Sequence, residues 1–373
     1  MALLGLDVGT TGCKAIIYNH QGKKLGSCYQ EYQSIAENGR FEIDPNTVWE
    51  SVCKVLTGAV SQSGETVNAV GISSFGESAV PIDINGTILA NAILYTDPRG
   101  EEECKLLENF TSITKVSAHP MYTISKILWQ KKNQPELFSK VYKYLLFEDF
   151  IIYKLTGNYR ISYSEATRTG CFDVTNKSFS QAVLSATGLS ADLFSTPVPS
   201  GTICGKAKNF PLLSSAVVTT GGQDQICSAL GAGATQVGSA VCGIGTVECI
   251  TPVFASPIEN METLNKGYCC VPYATGDTYV TYAYSYTGGA MLKWFRDKIA
   301  DTNAVSVYQT FDEKVKNSST DLLLLPHFAG AATPYMDINA TGAILGLTLS
   351  STREDIYRAI LEGCCFEMLL NIE

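Results

Sequence analysis

Apolar and polar positions alternate from the start of the chain, in short blocks separated by glycine turns. Ala2 to Asp7 is apolar and strand-like, Gly9-Thr10-Thr11-Gly12 turns, and Lys14 to Tyr18 returns. His20-Gln21-Gly22-Lys23 leads into a third strand near Leu25 to Tyr32. This pattern predicts a three-stranded meander. Asp44 reads as an N-cap with Pro45 at the first helical position. Val48, Val52, Val55, Leu56 and Ala59 follow at helical spacing, and Val67 to Ser73 is a further strand. A similar order recurs past the middle. Ala216 to Thr220 is a β-branched run, then come Gly221-Gly222 and a short helix through Leu230. Gly238 to Ile244, the turn Gly245-Thr246 and Val247 to Thr251 follow. Strand, Gly-Thr turn, strand occurs both at Gly5 to Thr10 and at Cys242 to Thr246, which suggests duplicated α/β domains with a cleft between them. Near the end, Ser351 to Glu354 fits a capping box, and Ile356, Ala359, Ile360 and Gly363 share one face of the helix it opens. That helix stops at Asn371-Ile372-Glu373 and looks cut short.

Composition narrows the class. At ~100–200 residues per domain, 373 residues suggest two or three domains. With 45% hydrophobic and 17% charged residues, and a mean hydropathy of +0.08, the chain has the makings of a large core and is not disordered. A net charge of -9 disfavours a nucleic-acid partner. No apolar run approaches the ~20 residues of a membrane helix. The start, Met1-Ala2-Leu3-Leu4, has no basic segment, and Asp7 interrupts the apolar run too early for a signal peptide. The 13 cysteines include no C-x-x-C pair, so they read as buried structural thiols of a cytoplasmic protein. His20, His119 and His327 show no ligand spacing.

Three segments could carry chemistry. In Asp7-Val8-Gly9-Thr10-Thr11-Gly12-Cys13-Lys14, the glycines let backbone N–H groups approach an anion, the threonines add hydroxyls, and Lys14 adds charge. The segment is a phosphate cradle or an ordinary glycine hairpin. Asp7 at a strand end could hold a metal ion through water. In Gly221-Gly222-Gln223-Asp224-Gln225, a strand meets a helix N-terminus, where Asp224 is either a general base or a helix cap. Ser73-Ser74-Phe75-Gly76-Glu77 and Asp97-Pro98-Arg99 put carboxylates on loops after strands, where they bind polyol hydroxyls or remain solvated. Tyr122 and Tyr163-Ser164-Glu165-Ala166 lie between apolar elements.

Together these residues resemble the FGGY carbohydrate kinases of the actin, sugar kinase and Hsp70 superfamily. Leu6 to Ala15 is similar to the family's first phosphate motif. Gly71 to Glu77 and Ala92 to Arg99 are similar to its early sugar-site segments. Phe147-Glu148-Asp149-Phe150 with Tyr153 to Gly157 resembles its mid-domain signature. Gly221-Gly222-Gln223-Asp224 matches the segment of the catalytic Asp, and Gly245-Thr246 the second phosphate motif. Thr287 to Trp294 looks like the nucleotide-side helix start, and Leu347 through Gly363 the late helix before the adenosine site. The resemblance covers the whole chain in the family's order. A Gly-rich adenosine motif, which the family carries further on, does not follow Glu373. The resemblance therefore implies an incomplete second domain and an open adenine pocket.

The implied fold is α/β, with two ribonuclease-H-like (actin-like ATPase) domains and an interdomain cleft. Residues 1–234 would bind the sugar and residues 235–373 the nucleotide. The implied activity is ATP-dependent phosphorylation of a small sugar or polyol, first of all a ketopentose such as xylulose. Fuculose, rhamnulose, gluconate and glycerol remain open, as does a chain that binds sugar without catalysis. By resemblance Asp224 is the base. Gly76, Glu77, Asp97, Tyr122 and Asp224 contact the sugar. Thr10, Thr11, Gly12, Lys14, Gly245, Thr246, Gly289 and Lys293 hold nucleotide and phosphate, and Asp7 holds Mg²⁺. No membrane partner is implied, and a homodimer is a family-level expectation. Two rivals stand beside it: an actin-like filament or chaperone, which needs no sugar carboxylates, and a sugar-sensing regulator, which would need a DNA-binding segment.

Overall fold

Every second residue of strand β1 (Ala2–Val8) is buried, with Leu3, Gly5 and Asp7 facing the other way. In the computed structural model, which describes residues 2–373, this alternation seeds the central sheet of the first of two units. Met1, where the expected first domain starts, lies outside the described residues. β1 pairs antiparallel with β2 (Gly12–Asn19), and β2 with β3 (Lys24–Glu31), which completes the predicted meander. Helix α1 (Pro45–Ser63) follows. The Asp44 carboxylate caps it by accepting from the Asn46 and Thr47 amides, and Gly64 ends it in the left-handed conformation at φ 63°. Its buried face, Val48, Val52, Val55, Leu56 and Ala59, is the one the helical spacing predicts, and it packs on β2 and β3.

β4 (Val67–Ser74) returns parallel to β1. The chain then builds α2 (Thr123–Asn133), α3 (Phe147–Thr156) and α4 (Tyr163–Arg168) before β5 (Ile203–Lys206) and β6 (Val217–Gln223). β6 lies parallel to β4, so the six-stranded order is β5-β6-β4-β1-β2-β3. Helix α5 (Asp224–Gly231) leaves directly from β6. The C-terminal ends of β1, β4 and β6 thus lie side by side, with Asp7 opposite Ser73 and Ser74 opposite Gln223. Adjacent parallel strand ends are where open α/β sheets place ligand-binding residues.

The first unit runs to Val237 and also takes in Phe254–Glu259 and Cys270–Val280. The second comprises Gly238–Val253, Asn260–Cys269 and Thr281–Glu373. In the second unit β7 (Ala240–Ile244) pairs antiparallel with β8 (Glu248–Phe254), and β8 with β9 (Ala283–Ser285). Helices α6 (Gly289–Trp294), α7 (Ser306–Val315) and α8 (Arg353–Ile372) join strands β10 (Leu323–Leu325) and β11 (Ala343–Leu345). Met291, Phe295, Phe311, Tyr357 and Ile360 form the core between these helices. The capping box of α8 falls one residue later than predicted. Thr352 Oγ1 accepts from the Asp355 amide at 3.2 Å, and the Asp355 carboxylate accepts from the Thr352 amide at 2.8 Å. Ser351 is already engaged, its hydroxyl accepting from the Thr348 amide at 2.9 Å. Among the described residues no helix is long and apolar enough to cross a membrane, and none of the cysteines is in a disulfide.

Candidate active site

In the first unit, Asp7 stands next to the end of β1, with Lys14 across the antiparallel pair and Ser73 across the parallel one. Ser73 Oγ donates to Asp7 Oδ1 at 2.9 Å. Burial pushes the Asp7 carboxyl up, while Ser73 and the Lys14 charge pull it down. The turn after β1 is closed by its own backbone, Gly9 N donating to Gly12 O at 2.9 Å. Tyr32 braces it, its hydroxyl donating to Gly9 O at 2.5 Å and its amide to Thr11 O at 3.1 Å. Gly12 is required here, because a Cβ would lie 2.8 Å from both the Gln30 carbonyl and the Tyr29 hydroxyl. Thr10 is close enough to the Tyr95 hydroxyl to oppose the rise in its pKa, and Thr11 is exposed at the turn.

Asp224 follows β6 as the first residue of α5. The N-cap is its neighbour Gln223, whose side chain accepts from the Gln225 amide at 3.0 Å. Asp224 Oδ1 accepts from the same amide at 2.6 Å, so both side chains meet the helix start. Asp224 is half-buried, and its carboxyl is pushed up to about 7. Burial is the main cause, the charges of Glu77 and Asp7 add to it, and the Gln225 amide and Arg168 oppose it. A pocket of about 590 Å³ is lined by Asp7, Lys14, Ser73, Asp224, Gln225 and Cys227 among others.

Gly76, Glu77 and Tyr122 are gathered around a residue that the sequence analysis does not single out, Arg168. Its guanidinium pairs with the Glu77 carboxylate, both side chains nearly buried, and lies 5.1 Å from the centre of the Tyr122 ring. Glu77 is held in the left-handed conformation at φ 66°, with its carbonyl accepting from Thr123 Oγ1 at 2.6 Å. Gly76 makes room, since a Cβ there would meet Arg168 Cγ at 2.8 Å. Tyr95 is a second missed residue. Burial and the charges of Glu77 and Asp224 push its hydroxyl up. Both were visible in sequence only as the odd polar side chain in a motif, Arg168 three places after Glu165 and Tyr95 two before Asp97.

Asp97 stands differently from the expectation. One carboxylate oxygen accepts from Arg99 N and Nε at 2.9 and 2.8 Å, the other from Phe41 N and Arg99 NH2 at 2.6 and 2.7 Å. Its side chain is fully buried, and Arg99 continues to Glu42 at 2.8 Å. Four donors occupy the acceptors a sugar hydroxyl would use, so Asp97 supports the loop instead of facing a ligand.

In the second unit, Gly245, Thr246, Gly289 and Lys293 come together with Trp294 and Lys298 around a pocket of about 490 Å³. The Gly289 amide donates to Gly245 O at 2.8 Å, and the Ala290 amide to Thr246 O at 3.1 Å. These amides hold the turn shape and are not free for a phosphate. Gly289 is fixed by crowding, a Cβ falling 2.6 Å from Gly245 O. Lys293 is exposed and pairs with Asp297 at 2.6 Å.

A divalent cation fits the first unit's site by its chemistry. Asp7 and Asp224 are oxygen donors, and the Asp7 charge raises the Asp224 carboxyl, a burden a hard cation would relieve. No cluster of three or more His, Cys, Asp or Glu ligands occurs among the described residues, so water and phosphate oxygens would complete the shell.

Sequence profiles of known families match nearly the whole chain. The N-terminal domain of the FGGY family of carbohydrate kinases matches residues 2–231, and its C-terminal domain residues 242–373. Xylulose kinase of Bacillus subtilis is 30% identical over 386 residues, covering 100% of this chain and 77% of that protein. Gluconokinase of Bacillus licheniformis is 26% identical over 391 residues, covering 98% and 75%. Among solved structures, xylulose kinase from Rhodospirillum rubrum superposes with a TM-score of 0.92 at 21% identity, covering 100% of this chain and 78% of that one. Plasmodium falciparum glycerol kinase with ADP superposes with a TM-score of 0.89 at 20% identity, covering 98% and 77%. At such identities these structures show a shared fold.

Proposed function

This chain belongs to the FGGY family of carbohydrate kinases and is a sugar kinase, and from that premise we propose that it transfers the γ-phosphoryl group of ATP to a hydroxyl of a ketopentose such as xylulose, with Asp224 as the base. The observation that carries this reading is the carboxyl of Asp224, pushed up to about 7 at the head of α5, beside Asp7. A base poised near the working pH is best matched to accept a hydroxyl proton. The sugar oxygen bonds to the γ-phosphorus, the bond from that phosphorus to the β–γ bridging oxygen breaks, ADP leaves, and the proton ends on the Asp224 carboxylate. Glu77 and Arg168 offer an acceptor and a donor held in one geometry, and with Tyr122 they would orient the sugar. Orientation and fixed charge supply most of the rate in phosphoryl transfer.

On this reading the first unit binds sugar and the second nucleotide. Thr10, Thr11, Gly12 and Lys14 of the first unit, and Gly245, Thr246 and Lys293 of the second, are the residues proposed to hold nucleotide and phosphate. A magnesium ion, when bound, would offset phosphate charge, with Asp7 holding it through water. Asp7 keeps its Ser73 hydrogen bond and the nearby Lys14 charge, which fix the carboxylate's orientation. Cysteines held outside disulfides support a reducing, cytosolic setting.

Xylulose is favoured because xylulose kinases recur among the relatives, including the 30% identical one. A gluconokinase relative keeps gluconate as the second reading. An ADP-release assay across ketoses, aldoses, polyols and gluconate decides between them. The expected outcome is the highest kcat/KM with a ketopentose. Highest kcat/KM with gluconate or glycerol would overturn the substrate assignment.

A further inference from the structure

Strand β6 gains one residue relative to β4 just before it ends. Thr220 lies opposite Ile72, and the next paired residue is Gly222, opposite Ser73. Gly221 is therefore a bulge, pressed so close to β4 that a Cβ on it would fall 2.2 Å from the Ile72 carbonyl oxygen. Gly222 follows at φ 145°, where a Cβ would meet Ser164 Oγ at 2.7 Å. Bulges bend a strand and re-aim the side chains near them. Here the re-aimed residues are Gln223 and Asp224.

The bulge is held by a buried polar layer. Gly221 N donates to Glu148 Oε1 at 3.0 Å, and Ser162 N donates to Glu148 Oε2 at 2.7 Å. Gln223 N donates to Ser164 Oγ at 3.1 Å, and the Ser162 and Ser164 hydroxyls lie 3.1 Å apart. Glu148 sits in the first turn of α3 and is 0% exposed. It thus joins the strand end before Asp224 to Ser162, the N-cap of α4, the helix that carries Arg168. An apolar side chain of similar size would leave the buried Ser162 amide and the part-buried Gly221 amide bare, a costly loss. Burying a carboxylate is costly as well, so its presence here calls for a function beyond filling space.

A second buried carboxylate lies alongside. Glu165 Oε1 accepts from Ser74 Oγ at 2.9 Å, and Glu165 Oε2 has no partner. Burial pushes both carboxyls up, Glu148 to about 7, and the Glu148 charge pushes Glu165 further. The Ser162 and Gly221 amides oppose the rise at Glu148, whereas at Glu165 only the Ser74 hydroxyl does so.

We propose that Glu148 is a positioning residue for phosphoryl transfer: by holding the Gly221 and Ser162 amides together, it fixes the bulge and thereby the placement of Asp224. This rests on the reading of Asp224 as the base. The test is Glu148→Gln in the full chain, alone and combined with Asp224→Asn. A glutamine has one acceptor oxygen, so its NH₂ must confront one of the two backbone donors. Misplacing a reacting group by about 1 Å costs up to ~100-fold in rate. The expected result is a ten- to hundredfold lower kcat, on the order of that limit, with little change in KM for the sugar. Amide exchange in the peptide spanning 221–224 should quicken. In the Asp224→Asn background, Glu148→Gln should cost little further, because a positioning residue acts through the group already lost. A purely structural role would give an additive loss in the double variant. Unchanged kcat in Glu148→Gln, or full additivity, overturns the proposal. If Asp224→Asn itself keeps its kcat, the base assignment falls, and unchanged exchange at 221–224 in Glu148→Gln then overturns the hold on the bulge separately. Should Glu148→Gln fail to fold, Ser164→Ala removes the acceptor of the Gln223 amide and carries the same kinetic and exchange tests.

Discussion

Asp224 is surrounded by groups that oppose its ionisation: burial first, then the charges of Glu77 and Asp7. Its raised pKa has two consequences of opposite sign. As a base it must be deprotonated, so kcat/KM should fall as pH drops through about 7. For folding, the group is more readily protonated in the native state than in the unfolded chain. Its favourable contribution is complete below the ordinary value of 3.8 and is lost as pH rises through about 7. Asp224→Asn should therefore raise Tm at pH 8 in the absence of ligand, and the gain should vanish below about pH 4. Scanning calorimetry at the two pH values checks this, and an equal shift at both would contradict it. Glu77→Ala should weaken sugar binding by about ten- to a hundredfold, the worth of one charge-assisted hydrogen bond. Asp97→Ala should instead lower Tm and leave sugar affinity nearly unchanged, because Arg99 and the Phe41 amide already occupy its oxygens. Calorimetric titration with xylulose separates the two variants. Asp7, Glu77 and Asp224 were legible as acids next to glycines at strand ends, a signal contained in a few consecutive residues. Arg168 was not, because its partner Glu77 is 91 residues away and nothing local announces the pair.

Strands and helices followed their local signals where one interaction dominated. The meander came from alternation, and α1 from Asp44, Pro45 and a 3.6-residue apolar stripe. Asp44→Ala should cost about 1 kcal/mol by urea unfolding, the usual worth of an N-cap. The start of α8 was misread by one residue because two overlapping windows, Ser351 to Glu354 and Thr352 to Asp355, both satisfy the capping-box pattern. The Ser351 hydroxyl is taken by the Thr348 amide, a competition that only the folded loop decides. The bulge in β6 was legible as Gly221-Gly222 but not as a bulge, since register depends on the neighbouring strand. Gly221→Ala should destabilise the fold strongly and reduce kcat, because its Cβ would meet the rigid Ile72 carbonyl and not a movable side chain.

At the scale of the molecule, the duplicated strand-turn-strand pattern pointed to two α/β units, and the family profiles match two consecutive domains. Less legible was the membership of Phe254–Glu259 and Cys270–Val280 in the first unit. Lys115 binds that stretch from both sides, its Nζ meeting Glu259 at 2.6 Å and its carbonyl accepting from the Cys270 amide at 2.8 Å. Such long-range pairings leave no periodic mark in the sequence. The proposed division of labour between the units has its own check in hydrogen exchange. Xylulose alone should protect peptides containing Glu77, Tyr122 and Asp224, whereas ADP alone should protect those containing Thr246 and Lys293. The central claim, a sugar kinase whose base is Asp224, is tested most directly by sugar-dependent ADP release at pH 8, measured for the native chain and Asp224→Asn with xylulose. The account predicts turnover by the native chain and a kcat lower by about 10²-fold or more in the variant, the lower range of what a general base supplies. Equal turnover in both, or release of ADP that ignores the sugar, would contradict it.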